Sequence, residues 1–128
     1  MRLRRLWLFV GWLLVIGVVY GSLMPSPPTP VTFPDADKVE HVTAYLVLML
    51  WFAQLYTSTN ARWRVAVSLV GLGVLIEYLQ GWSGYRDFEY LDMVADAAGV
   101  SLGWALAWSP LGRSIGWMDS AVGWVLWR

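Results

Sequence analysis

Cysteine is absent from the chain, so disulfides, thiolate nucleophiles and thiolate metal ligands are all excluded. There is no H-E-x-x-H segment and no nucleophilic-serine signature, which removes the commonest sequence routes to a zinc peptidase or a serine hydrolase. Excess charge is missing too: nine basic residues balance nine acidic ones. No basic stripe extends beyond Arg2, Arg4 and Arg5, so nucleic acid is not expected as a partner.

What is present is apolar and arrives in blocks. Hydrophobic residues make up 58% of the chain and ten residues are Trp. A helix that crosses a bilayer needs about 20 largely apolar residues. Residues 6–23, 38–57, 63–80 and 91–108 each approach that length, and together they leave no room for a soluble catalytic domain. The expected fold is an all-α polytopic membrane helical bundle. It has four transmembrane helices and a C-terminal interfacial helix, within one domain over residues 1–128.

In chain order, the Arg-rich start and apolar run resemble a signal peptide. The run is longer than the usual h-region of about 7–15 residues and no clean A-x-A-like site follows, so it reads as a retained first span. Gly17 and Gly21 have the G-x-x-x-G spacing that admits a close neighbouring helix. Pro25, Pro27, Pro28, Pro30 and Pro34 then stop helix formation and predict an extended crossover. Asp35–Asp37 offer acceptors for the first turn of the next span. Residues 114–127 are apolar but short, roughly 21 Å as a helix. Ile115, Met118, Val122 and Val125 form their apolar stripe and Asp119 lies off it, which fits an interfacial helix.

Orientation follows from the short loops. With the N terminus in the cytoplasm, Arg2, Arg4, Arg5, Arg62, Arg64, Arg113 and Arg128 fall inside, while Lys38 and Arg86 fall outside. The same placement brings Asp37, Lys38, His41, Glu77, Gln80, Arg86, Asp92 and Asp96 to the external ends of spans two, three and four. Three polar groups from separate stretches thus reach one depth. A charge there costs roughly 2.5–3.5 kcal/mol unless water or a counter-charge reaches it. His41, Glu77, Asp92 and Asp96 are therefore candidate catalytic acid–base groups, with His41 the member that most readily changes protonation. Asp37, Lys38, Gln80 and Arg86 are candidate ligand-binding groups, the two cations suiting phosphate or carboxylate. Asp87 and Glu89 read as solvated loop charges. Gly99 and Gly103 read as close-packing positions. No metal site and no cofactor is expected.

Three segments carry a resemblance: FPDADKVEH at 33–41, IEYLQGWSGYRDFEYLD at 76–92 and ADAAGVSLG at 95–103. In order they give D-K-x-x-H, E-x-x-Q, R, and then an Asp seven residues before a Gly. This combination resembles the VanZ-like family, named for a small membrane protein accessory to teicoplanin resistance. The resemblance spans nearly the whole chain and falls on Asp37, Lys38, His41, Glu77, Gln80, Arg86, Asp92 and Gly99. Asp96 departs from it, standing where the family usually carries Asn; a carboxylate there needs a proton or a partner. The resemblance implies a bacterial plasma (inner) membrane protein of the cell envelope. The leading expectation is a structural or regulatory bundle with an outward-facing polar cluster. Its rivals are an envelope enzyme or binding protein acting on a lipid-linked or cell-wall component, and a small proton-linked carrier. Membrane lipid is the expected partner, together with such an envelope component or another membrane protein.

Overall fold

In a computed structural model, residues 1–24, 35–84 and 88–127 are described, and they form five α-helices. These are α1 (Arg4–Leu23), α2 (Ala36–Leu55), α3 (Thr59–Ser83), α4 (Tyr90–Leu106) and α5 (Ser114–Leu126), with a short 3-10 turn at Pro110–Arg113 before α5. The proline-rich crossover and Arg86 lie outside the described residues.

The helices begin and end where local chemistry dictates. Ser58 accepts from the Ala61 N–H at 3.1 Å and Gly84 leaves the helix at φ 82°, so α3 is longer at both ends than residues 63–80. Asp35 does not cap α2 with its side chain as expected. It adopts φ 63°, and its carbonyl accepts from Lys38 N and Val39 N. The carbonyls at the other end of α2 are served by arginines: Arg62 donates twice to Ala53 O (3.0 and 2.8 Å) and Arg4 donates to Leu55 O at 3.0 Å.

The first four helices run up and down, and α2 is the hub, packing on α1, α3 and α4. Its Tyr45, Leu48, Met49 and Ala53 form the centre of the main core with Ala66 and Leu69 of α3 and Val100 of α4. The α2–α4 contact is the most extensive because α4 presents glycines to it. A Cβ on Gly99 would run into Val42 O, and one on Gly103 would come within 2.9 Å of Met49 Cβ. Gly17 and Gly21, by contrast, have nothing within 4 Å; the close approach on α1 is at Gly11, against Trp51 and Phe52.

Large apolar side chains face outward along the bundle, among them Phe9, Trp12, Ile16, Val67, Leu75 and Val94. So much exposed apolar surface is the signature of a membrane or partner-covered face. Among the described residues, α1 and α3 are long and apolar enough to cross a membrane. The first turns of α2 carry Asp37, Lys38, Glu40 and His41, and α4 has 17 residues with Asp92 and Asp96 at its start.

The C-terminal helix differs from its expected face. Ile115 is fully buried and Asp119 is buried beside it, whereas Val125 is 68% exposed. Asp119 therefore lies on the buried stripe. It accepts from Arg2 N (2.9 Å), Leu3 N (2.8 Å) and the Trp7 indole (2.8 Å), closing off the start of α1. Gln54 Oε1 accepts from Ile115 N at 2.9 Å and holds the beginning of α5 against the end of α2.

Candidate functional site

The end of the bundle that carries the start of α2 and α4 and the finish of α3 collects the charges. Asp37, Lys38 and His41 come from the first turns of α2, Glu77 from the last two turns of α3, and Asp92 and Asp96 from one face of α4. Spacing places Lys38 next to His41 and Asp92 next to Asp96; only tertiary packing presses the two pairs together across the α2–α4 contact.

Lys38 is the centre of the outer layer. Its ammonium donates to Asp37 Oδ2 at 2.7 Å, to Asp92 Oδ1 at 2.5 Å and to Glu89 Oε2. Beneath it, His41 Nδ1 is 2.7 Å from Asp96 Oδ1, while His41 Nε2 stands 3.7 Å from Asp92 Oδ2, too far for a hydrogen bond. Asp96 is 2% exposed and sits against Gly73 of α3, where a Cβ would come within 2.5 Å of its Oδ2. That glycine makes the space for the Asp that orients the imidazole.

Glu77 is 1% exposed. Its Oε1 accepts from the Glu89 N–H at 2.6 Å, and its Oε2 is buried with no hydrogen-bond partner among the described residues. The three separate polar segments are therefore one contiguous group, linked Lys38–Asp92 and His41–Asp96 between α2 and α4, and Glu89–Glu77 to α3. Gln80 works apart from them: it donates to Ser22 O at 2.6 Å and fastens the end of α1 to α3. Glu89 is an exposed residue in the connection, in keeping with its reading as a solvated loop charge, but it also joins the cluster, contacting Lys38 through its side chain and Glu77 through its backbone. No periodic signal marks it, because its partners lie 51 and 12 residues away.

The electrostatics are lopsided. Among the described residues Lys38 is the one permanent cation of the cluster, facing Asp37, Glu77, Glu89, Asp92 and Asp96, with His41 able to add a second positive charge. Asp37, Glu89 and Asp92 present oxygens within 4.8 Å of one another, a spacing that suits a cation. The Lys38 ammonium bonds to all three carboxylates and so supplies a cation to that group from the chain itself. Chemically, the cluster can hold charge and pass a proton between Asp96 and His41. It lacks a hydroxyl or thiol nucleophile on His41, whose hydrogen-bond partner among the described residues is Asp96.

Comparison of the chain with protein-family models, curated proteins and solved structures finds no match.

Proposed function

We propose that this chain is a multi-pass protein of the bacterial plasma membrane, crossing four times with its N terminus in the cytoplasm. Its charged cluster is then an external clamp that joins α2, α3 and α4 into a structural or regulatory unit. The observation that carries this reading is the Lys38 ammonium seated among three carboxylates. Asp92 is the partner that matters most. Its side chain is 9% exposed, whereas those of Asp37 and Glu89 are 53% and 47% exposed and screened by solvent. The up-and-down helix order, the outward apolar side chains and the six arginines at one end among the described residues support the four-span part of the proposal. The VanZ-like resemblance of the motifs around His41, Glu77 and Asp92 supports the envelope location.

The chain has no natural cysteine, so single-cysteine variants report topology cleanly. In intact cells a membrane-impermeant maleimide should label Trp82→Cys and spare Asn60→Cys; the reverse pattern sinks the orientation. For the clamp, Lys38→Met should lower the thermal midpoint of the purified protein, and the exchange Lys38→Asp with Asp92→Lys should recover part of the loss. No recovery, with both single changes neutral, would remove the clamp.

A second reading, an envelope enzyme acting on a lipid-linked component, has its own support in the His41–Asp96 hydrogen bond and in the buried Glu77 Oε2, which has no partner among the described residues. It requires that His41→Asn abolish conversion of such a substrate while membrane abundance and thermal midpoint stay unchanged. The clamp requires that stability and any physiological output fall together.

A further inference from the structure

The opposite end of the bundle holds a feature that the charged clamp does not use. Arg4, Arg62 and Arg64 gather there, and the acidic residue among the described ones at that end is Asp119, already engaged by Arg2 N, Leu3 N and Trp7. Arg4 is spent on Leu55 O and lies over the Tyr56 ring, 5.2 Å from its centroid. Arg62 is spent on Ala53 O and lies over Trp108. Arg64 is exposed and has no acidic partner among the described residues.

Arg64 lines one end of a groove. The Gln80–Ser22 hydrogen bond draws α1 and α3 together at the clamp end, and toward the arginine end α2 forms a floor between them. The groove has a volume of about 470 Å³ and is lined by Trp12, Val15, Phe52 and Leu72, with Tyr56 and Arg64 toward the arginine end of the bundle. That volume lies within the range of about 300–1,000 Å³ usual for small-molecule sites. Leu72 is eight residues from Arg64, which puts the apolar depth about 12 Å beyond the charge. Two other grooves, one along α1 and one between α3 and α4, have no charged side chain in their walls. An apolar groove lined at one end by a guanidinium with no acidic partner among the described residues matches one chemistry: a hydrocarbon chain joined to an anion.

We infer that this groove is a specific site for an anionic phospholipid of the inner leaflet, one acyl chain lying between α1 and α3 and the phosphate held by Arg64. The inference rests on the proposed membrane orientation for its leaflet and on the groove and Arg64 for its ligand. Arg64 would bind phosphate with its forked donors while Tyr56, stacked beneath Arg4, borders the same headgroup.

The test is native mass spectrometry of the full chain released from nanodiscs holding equal phosphatidylglycerol and phosphatidylcholine. The expected result is preferential retention of one phosphatidylglycerol. Arg64→Gln should reduce that preference about five-fold, the scale of one basic side chain's attraction to an anionic headgroup, while Arg64→Lys keeps most of it. Ser68→Trp, which fills the groove from an exposed position, should reduce retention of both lipids. Equal retention of the two lipids by the unaltered protein would overturn the site without any variant having to fold. So would an Arg64→Gln protein with unchanged preference, or a lipid-free dimer that occupies the groove with a second copy. Labelling of Asn60→Cys from outside, with the lipid preference intact, would overturn the leaflet and the proposed orientation but not the ligand.

Discussion

Gly73 and Asp96 show how one missing methyl group sets up a charged site. A Cβ at Gly73 would lie within 2.5 Å of Asp96 Oδ2 and 3.2 Å of its Cβ and Cγ, so the carboxylate cannot simply swing away. Gly73→Ala is expected to destabilise the protein by about 1–3 kcal/mol and to dislodge Asp96 from His41. Chemical denaturation, with the His41 ring resonances followed by NMR, checks both effects. Gly99→Ala should be worse, because its Cβ meets the backbone of α2 at Val42 O and not a side-chain tip. Gly17→Ala is the control. Its neighbourhood is empty within 4 Å, so the higher helix propensity of Ala should leave stability unchanged or raised by up to about 1 kcal/mol. At this scale the identities of His41, Glu77, Asp92 and Asp96 as buried or half-buried polar residues were legible, since an apolar run makes any carboxylate conspicuous. The part Glu89 plays in the cluster was not legible: an acidic residue in a polar connection reads as solvated, which this one largely is, and its partners lie far away in the chain.

Among the elements, α5 departs furthest from its pattern. Hydrophobic periodicity assigns Asp119 to solvent because an isolated carboxylate is costly to bury. The N–H groups that offset this cost belong to Arg2 and Leu3, just before α1 and more than 110 residues earlier, and no local rule could supply them. Burial alone would raise the Asp119 carboxyl, but the Arg2 and Leu3 amides, the Trp7 indole and the N-terminal charge together hold it below its ordinary value of 3.8. The sign follows directly. A carboxyl lowered in the folded state contributes stability that is fully present above the unfolded value and is lost as pH falls through the lower folded one. The docking of α5 on α1 should therefore be insensitive to pH above that ordinary value and weaken only in stronger acid. Protection of the Trp7 indole proton against exchange, followed by NMR on acidification, should fall in that window. In Asp119→Asn the protection should be reduced at every pH, and an unchanged Trp7 signal would show that the clasp is not what holds α5. Helix ends belong to this scale as well. Ser58 and Gly84 are recognisable start and stop residues, whereas the arginines that finish α2 act from α1 and α3.

For the molecule as a whole, the consequential contact is the clamp between helix beginnings at one end, paired with the clasp around α1 at the other. Removing one member of a buried ion pair leaves the other unmatched, at about 3–5 kcal/mol. Lys38 retains 20% of its side-chain exposure, so Lys38→Met should cost less, about 1–2 kcal/mol after allowance for solvent screening. Asp92→Leu combined with Lys38→Met should be closer to the parent than Lys38→Met alone, because no charge is then stranded. Thermal unfolding of the purified variants decides this. If the double change is the more damaging one, the pair contributes net stability and not merely mutual neutralisation.

The sequence alone determined that the chain is helical and apolar in blocks, that polar residues cluster near block ends, and that arginines are strongly partitioned between the loops. Each of these depends on periodicity or composition, which are properties of neighbouring residues. Only tertiary structure decided that α2 is the hub, that Lys38 fills the space among three carboxylates and that Asp119 clasps the start of α1. It alone decided that Arg64, without an acidic partner among the described residues, lines a groove. Those facts depend on which helices adjoin and how closely, and glycines at 73, 99 and 103 set that closeness through contacts with residues far away in the chain.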